Sequence, residues 1–252
     1  MIAASEVVTP PSPPPLSRGD ALFLDFDGTL VEIAATPDRI EIVADLPSLL
    51  QRVAARLDGA LAVISGRPLA ELARFLTGYT GAAAGIHGLE HRSAAGAVQR
   101  PAADPAFDLV WPAVRQFATM TQGVSIEDKG LAIAIHYRSR PELAEACRHI
   151  AEQAVLLSEN RLAMLPGKMV VELRPRATDK GRAAHAFLAE PEFRGRRPIF
   201  VGDDRTDEAG FAAVNGLDGI SVHVGDGDSL ARYRLGDVAA VIRWLEAFLV
   251  AD

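Results

Sequence analysis

Residues 21–30 read ALFLDFDGTL. The apolar run Ala21–Leu24 has the length and continuity of a strand buried inside a parallel sheet. It runs into Asp25 and Asp27, and on extended backbone two residues so spaced point the same way. Gly28 lets the chain leave the strand sharply, with N–H groups free to meet an anion. Two carboxylates this close need a cation or a shared proton. A Mg²⁺ ion beside a phosphate would satisfy both, at the strand end where open α/β sheets hold their ligands. Taken alone, the stretch reads equally as a βα turn with Asp as helix cap.

On either side of this strand the pattern alternates. Helical periodicity over 47–57 precedes a strand at 60–64, a helix at 69–76, a weak strand at 82–86 and a hairpin through 90–92 and 97–100. The rhythm changes near Pro101–Pro105. Residues 105–176 read as helix (106–120), two strands (124–128, 131–138), helix (141–157) and two strands (161–165, 169–174). Helix 179–188, strand 198–201, helix 206–214, strand 219–224 and helix 238–250 restore the alternation. The expected fold class is α/β: a doubly wound, Rossmann-like parallel-sheet core (20–104 and 177–252) interrupted by an αββαββ unit with an antiparallel sheet (105–176). Residues 1–19, with five prolines between 10 and 15, read as a disordered tail.

Three further positions carry chemistry. Ser65-Gly66-Arg67 follows the second strand, where a hydroxyl and turn N–H groups make a phosphate-binding corner, or simply a helix cap before Pro68. Lys180 stands in the first turn of a helix, against the helix dipole, as a partner for phosphate or Asp25 or as a solvated surface lysine. Gly202-Asp203-Asp204-Arg205-Thr206-Asp207-Glu208 puts four acids within six residues after an apolar strand. Some cap the helix that follows; the remainder need a cation, and hard oxygen ligands select Mg²⁺.

In this order, DFDGT (25–29), Ser65, Lys180 and GDDRTD (202–207) resemble the haloacid-dehalogenase-like phosphatase superfamily. The resemblance implies a two-step phosphoryl transfer in which Asp25 is the nucleophile and Asp27 the general acid and base. Mg²⁺ would be held by Asp25, the Asp27 carbonyl and Asp203, supported by Asp204 and Asp207. Ser65 and Lys180 would hold the phosphoryl oxygens, and Asp207 would fix Lys180. The inserted 105–176 block would be the cap that sets specificity.

The insert carries Glu127-Asp128-Lys129-Gly130, His136-Tyr137-Arg138 and GKMVVELRP at 167–175. With His87-Gly88-Leu89-Glu90, these look like the trehalose-6-phosphate phosphatases. The resemblance implies that Glu127, Lys129 and Glu172 contact the sugar, with Lys168, Arg138, Glu90 and Arg67 near it. Carboxylates accept from sugar hydroxyls and ammonium groups donate to them, which agrees. The same residues read alternatively as cross-strand pairs. Hydrolysis of another sugar phosphate, of sucrose 6-phosphate or mannosyl phosphate type, is the second reading, and a phosphosugar-binding module without turnover the third. His87-Gly88-Leu89-Glu90-His91 also fits a zinc-peptidase pattern, but Gly85 and Gly88 break the helix that chemistry requires. His136 reads as an ordinary structural residue.

A net charge of −7 argues against nonspecific nucleic-acid binding. The single cysteine, Cys147, falls on an apolar helical face and reads as core. No apolar run reaches membrane-span length and the first residues lack a secretory pattern. The expectation is a cytoplasmic monomer with a small sugar phosphate as its partner, and neither nucleic acid nor membrane.

Overall fold

The computed structural model describes residues 10–33, 40, 42, 45–167 and 169–251. In chain order the elements are β1 (Asp20–Leu24), α1 (Leu46–Arg56), β2 (Leu61–Ile64), α2 (Leu69–Phe75), β3 (Ala82–Gly85), β4 (Glu90–Arg92), β5 (Val98–Gln99) and α3 (Ala106–Met120). Then come β6 (Ser125–Asp128), β7 (Ile133–His136), α4 (Ala144–Leu157), β8 (Leu162–Gly167) and β9 (Val170–Pro175). The chain closes with α5 (Lys180–Leu188), β10 (Arg197–Gly202), α6 (Glu208–Asn215), β11 (Ile220–Val224), β12 (Tyr233–Leu235) and α7 (Val238–Val250).

The larger sheet has the order β12-β11-β10-β1-β2-β3-β4-β5. It is parallel from β12 to β3 and antiparallel across β4 and β5. Every residue of β1, β2 and β11 is buried, as strands covered on both faces must be. Phe23 of β1 stacks on Phe187 of α5 and on Phe193, with Phe200 of β10 beside them. Helices α1 and α7 pack together, as do α5 and α6.

The smaller sheet, β6-β7-β9-β8, is antiparallel throughout. Ala106, Phe107, Val110 and Val114 of α3 and Cys147, Ala151 and Ala154 of α4 form a separate core with Ile133, Ile135, Val171 and Leu173 of its strands. Cys147 is a buried core residue.

Three observations depart from the sequence reading. The proline-rich stretch is not a free tail over its described part: Leu16 and Pro13 are buried. The Pro14 carbonyl accepts from Trp244 Nε1 at 3.0 Å and that of Pro11 from the Arg234 amide at 3.0 Å. Prolines that cannot donate still accept, and these two carbonyls tie the segment to α7 and β12. Strand β12 was not expected, because three residues, Tyr-Arg-Leu at a sheet edge, show no alternation long enough to register. The helix expected from Thr206 is a 3-10 turn at 205–207 followed by α6. Among the described residues no helix is long and apolar enough to cross a membrane.

Candidate active site

Parallel pairing brings the site together. Leu24 of β1 is in register with Val201 of β10 and Val63 of β2. The residues that follow these strand ends, Asp25, Ser65 and Asp203, therefore emerge on one edge of the sheet. The Asp25 amide donates to Val201 O and that of Ser65 to Ala84 O, each at 2.9 Å, so both still belong to the sheet's ladder. Gly28 (φ +80) allows the turn after β1 and leaves space: a Cβ there would lie 2.0 Å from Asp203 Oδ2.

Asp25, Asp203 and Asp207 each present a carboxylate oxygen within 4.8 Å of the others. Lys180 reaches into this group, its Nζ 2.7 Å from both Asp25 Oδ1 and Asp207 Oδ1. It is buried, not a solvated surface lysine. Asp179 caps α5 by accepting from the Arg182 amide at 2.8 Å, and so aims the first helical residue, Lys180, at the strand ends. Asp207 is fully buried; its Oδ2 accepts from the amides of Asp203 and Asp204 at 3.2 and 3.1 Å.

One lysine does not balance two buried acids, Asp25 and Asp207, with the half-buried Asp203 beside them. Burial, then Asp207, pushes the Asp25 carboxyl well above its ordinary range, against the pull of Lys180. The same two causes raise Asp203 to about 7. Burial opposes the Lys180 charge, but Asp207 and Asp25 outweigh it and hold the ammonium more firmly than usual. A cluster of hard oxygen donors with excess negative charge fits a divalent cation such as Mg²⁺.

Asp27, next along the strand end, is gripped by Arg67: Nε lies 2.7 Å from Oδ2 and Nη2 2.8 Å from Oδ1. Arg67 Nη1 pairs with Glu71 at 3.0 Å, and the guanidinium lies over the Phe75 ring. The Arg67 amide donates to Ser65 Oγ at 3.1 Å.

Above these residues opens a cavity of about 390 Å³ between the two sheets. The smaller sheet supplies Glu127, Lys129, His136, Arg138 and Glu172 to its wall. Lys129 Nζ donates to Glu172 Oε2 at 2.7 Å and to the Gly66 carbonyl of the larger sheet at 3.1 Å. His136 Nε2 lies 2.9 Å from Glu127 Oε2. His87 Nε2 is 3.2 Å from Glu172 Oε1 but off the line of a hydrogen bond, so this buried oxygen has no hydrogen-bond partner among the described residues. Burial works to raise the Glu172 carboxyl, yet Lys129 and His87 outweigh it and hold it well below the carboxylate range.

The structure thus gathers Asp25, Asp27, Ser65, Lys180, Asp203, Asp204, Arg67, Arg138, Glu127, Lys129 and Glu172 around one cavity, with Asp207 behind it. Glu90 is a correction. It does not line the cavity; its buried carboxylate accepts from the Leu69 amide at the start of α2 at 2.6 Å and pairs with Arg100 at 3.2 Å. An acid at a helix start answers unpaired N–H groups, a local need indistinguishable in sequence from substrate binding. Arg67 is corrected in part: it lines the cavity, but its donors face Asp27 and Glu71. Lys168 lies outside the described residues. His87 and His136 were missed as cavity residues, since a single histidine carries no periodic signal. His87 and His91 turn to different acids, Glu172 and Glu190, and not to one ion.

A solved haloacid dehalogenase-like hydrolase from Bacteroides thetaiotaomicron matches 90% of this chain and 98% of its own, with a TM-score of 0.62 at 17% identity. The fold is that of the haloacid-dehalogenase-like class. The C-terminal domain of a Candida albicans trehalose-6-phosphate phosphatase shares it more closely, with a TM-score of 0.81 over 97% of this chain and 99% of that one, at 21% identity. In sequence, the trehalose-6-phosphate phosphatase of Escherichia coli is 42% identical over 243 residues, 94% of this chain and 90% of that protein. The trehalose-phosphatase family model matches residues 23–238, and the chain belongs to that family of phosphoric monoester hydrolases.

Proposed function

We propose that this enzyme hydrolyses trehalose 6-phosphate to trehalose and phosphate, the last step of trehalose formation, through a phosphoryl group carried on Asp25. The observation that carries the reading is the Asp25–Lys180–Asp207 chain of 2.7 Å contacts beside Asp203, at the foot of a cavity walled by the acids and bases of the smaller sheet.

Asp25 Oδ would attack phosphorus as the bond from phosphorus to the sugar oxygen breaks. Asp27 would give its proton to that leaving oxygen, then take one from the water that attacks the aspartyl-phosphate and releases phosphate. Lys180 and Ser65 would hold the phosphoryl oxygens. Asp25, the Asp27 carbonyl and Asp203 would hold Mg²⁺, with Asp204 and Asp207 in support. When bound, the ion offsets repulsion between the phosphoryl oxygens and the attacking carboxylate. Arg67 grips Asp27 by both oxygens and would fix its direction until substrate arrives.

The smaller sheet would act as the cap and read the sugar. Glu172 Oε1, buried and without a hydrogen-bond partner among the described residues, is an acceptor suited to a sugar hydroxyl, and Glu127, Lys129 and Arg138 line the same wall. Lys168 is included on the resemblance alone.

The test is phosphate release from trehalose 6-phosphate, sucrose 6-phosphate, glucose 6-phosphate and p-nitrophenyl phosphate, with and without Mg²⁺. A clear preference for trehalose 6-phosphate, dependent on Mg²⁺, is expected. Equal rates across the panel would overturn the substrate reading.

A further inference from the structure

His87 takes no part in the steps above, yet its placement is tightly constrained. It follows β3 in left-handed backbone, φ 55 and ψ 27, a conformation that residues with a side chain seldom adopt. Ile86 before it is also left-handed, at φ 47. The His87 amide donates to Ser65 O at 2.9 Å. Gly66 lies flat against the imidazole: a Cβ there would come within 2.9 Å of Cε1 and Nε2. Gly88 brings the same turn against α5, where a Cβ would lie 2.8 Å from that of Ala183. The ring is thereby packed on the Ser65–Gly66 corner of the larger sheet and presented across the cavity to Glu172 of the smaller one.

Glu172 is held from two sides. Lys129, of its own sheet, bonds both to it and to the Gly66 carbonyl. His87, of the opposite sheet, faces its other oxygen. Burial keeps the imidazole pKa below its ordinary value, partly offset by Glu172, so the ring presents a neutral N–H dipole. The direction of the Glu172 carboxylate is therefore set by groups attached to the phosphate corner as well as by its own strand.

We propose that His87 is a positioning residue that seats Glu172 against the Ser65–Gly66 corner, so that the sugar-reading carboxylate and the phosphoryl-holding corner are registered by one contact across the cavity. This rests on the proposed sugar-phosphate hydrolysis. It adds that selectivity for a sugar depends on a residue that touches neither the phosphoryl group nor the metal site.

His87→Asn tolerates left-handed backbone but is too short to reach Glu172. His87→Gln can reach it with an amide N–H. For the sugar phosphate that the unaltered enzyme hydrolyses best, kcat/KM should fall roughly 10–100-fold in His87→Asn, the scale of losing one polar contact to a charged group that itself contacts the substrate. The fall on p-nitrophenyl phosphate should be within about 3-fold, which the same relation makes a small part of that contact. His87→Gln should recover part of the loss. His87→Asn combined with Glu172→Ala should be no worse on the sugar phosphate than Glu172→Ala alone.

Equal losses on both substrates, or additive losses in the double variant, would overturn the inference. A thermal-unfolding cycle over the same two positions needs no substrate, and absence of coupling there would overturn it as well. Failure of the unaltered enzyme to prefer trehalose 6-phosphate would instead strike the substrate reading, while the split on the best sugar phosphate still decides the role of His87.

Discussion

The two ends of the cavity are built on opposite electrostatic plans. At the strand ends of the larger sheet, Asp25, Asp203 and Asp207 share one lysine, and Asp25 and Asp203 are pushed toward protonation by burial and by Asp207. On the smaller sheet, Glu172 and Glu127 face Lys129, His87 and His136, and both carboxyls are held below their ordinary range. The first group is short of positive charge and suits a cation together with an anion that the cation and Lys180 can hold. The second sets Lys129 and Arg138 beside Glu127 and Glu172, so it can accept and donate hydrogen bonds to a neutral, hydroxyl-covered molecule without demanding a counter-charge. A sugar phosphate is charged at one end and neutral at the other, and the cavity has the matching division.

The contrast breaks most severely at Asp25. Asp25→Asn should lower phosphate release by roughly 10³-fold or more, as loss of a nucleophile does, for sugar and aryl phosphates alike. Retained turnover would end the aspartyl-phosphate reading. Lys180→Met should cost about 3–5 kcal/mol of stability in metal-free protein, since it leaves Asp25 and Asp207 buried without their cation. Urea unfolding with and without Mg²⁺ measures this, and Mg²⁺ should recover part of the loss. The cation deficit itself is tested by melting. Mg²⁺ at about 100 times its dissociation constant should raise the midpoint by roughly 5–10 °C. The gain should be much reduced in Asp203→Asn; an equal gain would put the ion elsewhere. At the opposite end, Glu172→Ala should cut kcat/KM on trehalose 6-phosphate about 10–100-fold and change the aryl phosphate far less, because on the proposed reading it removes a charged acceptor from the sugar only.

The same division explains what could be read from the chain. The charged end was legible because its residues sit at strand ends, where the order of apolar run, acid and glycine survives in one dimension: Asp25, Asp27 and Gly28, then Asp203 after β10. The helix spans 106–120 and 238–250 were legible because long amphipathic periods are hard to mistake. Glu90 was misplaced because a carboxylate satisfying a helix start and one meeting a ligand have the same sequence appearance. His87 stood in a quoted motif, but its placement against Glu172 was illegible for a different reason: it follows from a left-handed turn and a glycine 21 residues earlier, neither of which leaves a periodic trace. Strand β12 and the packing of Pro13 and Leu16 depend on a surface that only the folded sheet and α7 create.

The two plans also predict opposite responses to acid, the subtlest of these effects. Asp203 has its folded-state value raised to about 7 from 3.8, by burial and then by Asp207. The folded state of metal-free protein thus binds this proton more tightly than the unfolded state. Its stabilising contribution is full at low pH and is lost as pH rises through about 7. Glu172 has the reverse sign: its folded value lies below the ordinary 4.5, so its contribution is full above that pH and declines as the solution is acidified further. Melting of metal-free protein from pH 8 to 6 should therefore rise with acid, and Asp203→Asn should flatten that rise. Below pH 4.5 the gap in melting temperature between the unaltered protein and Glu172→Gln should narrow, because the advantage of the ionised carboxylate beside Lys129 is being titrated away. Parallel curves in the second window would mean that Lys129 and His87 do not hold the Glu172 charge, and the balanced end of the cavity would lose its distinction from the other.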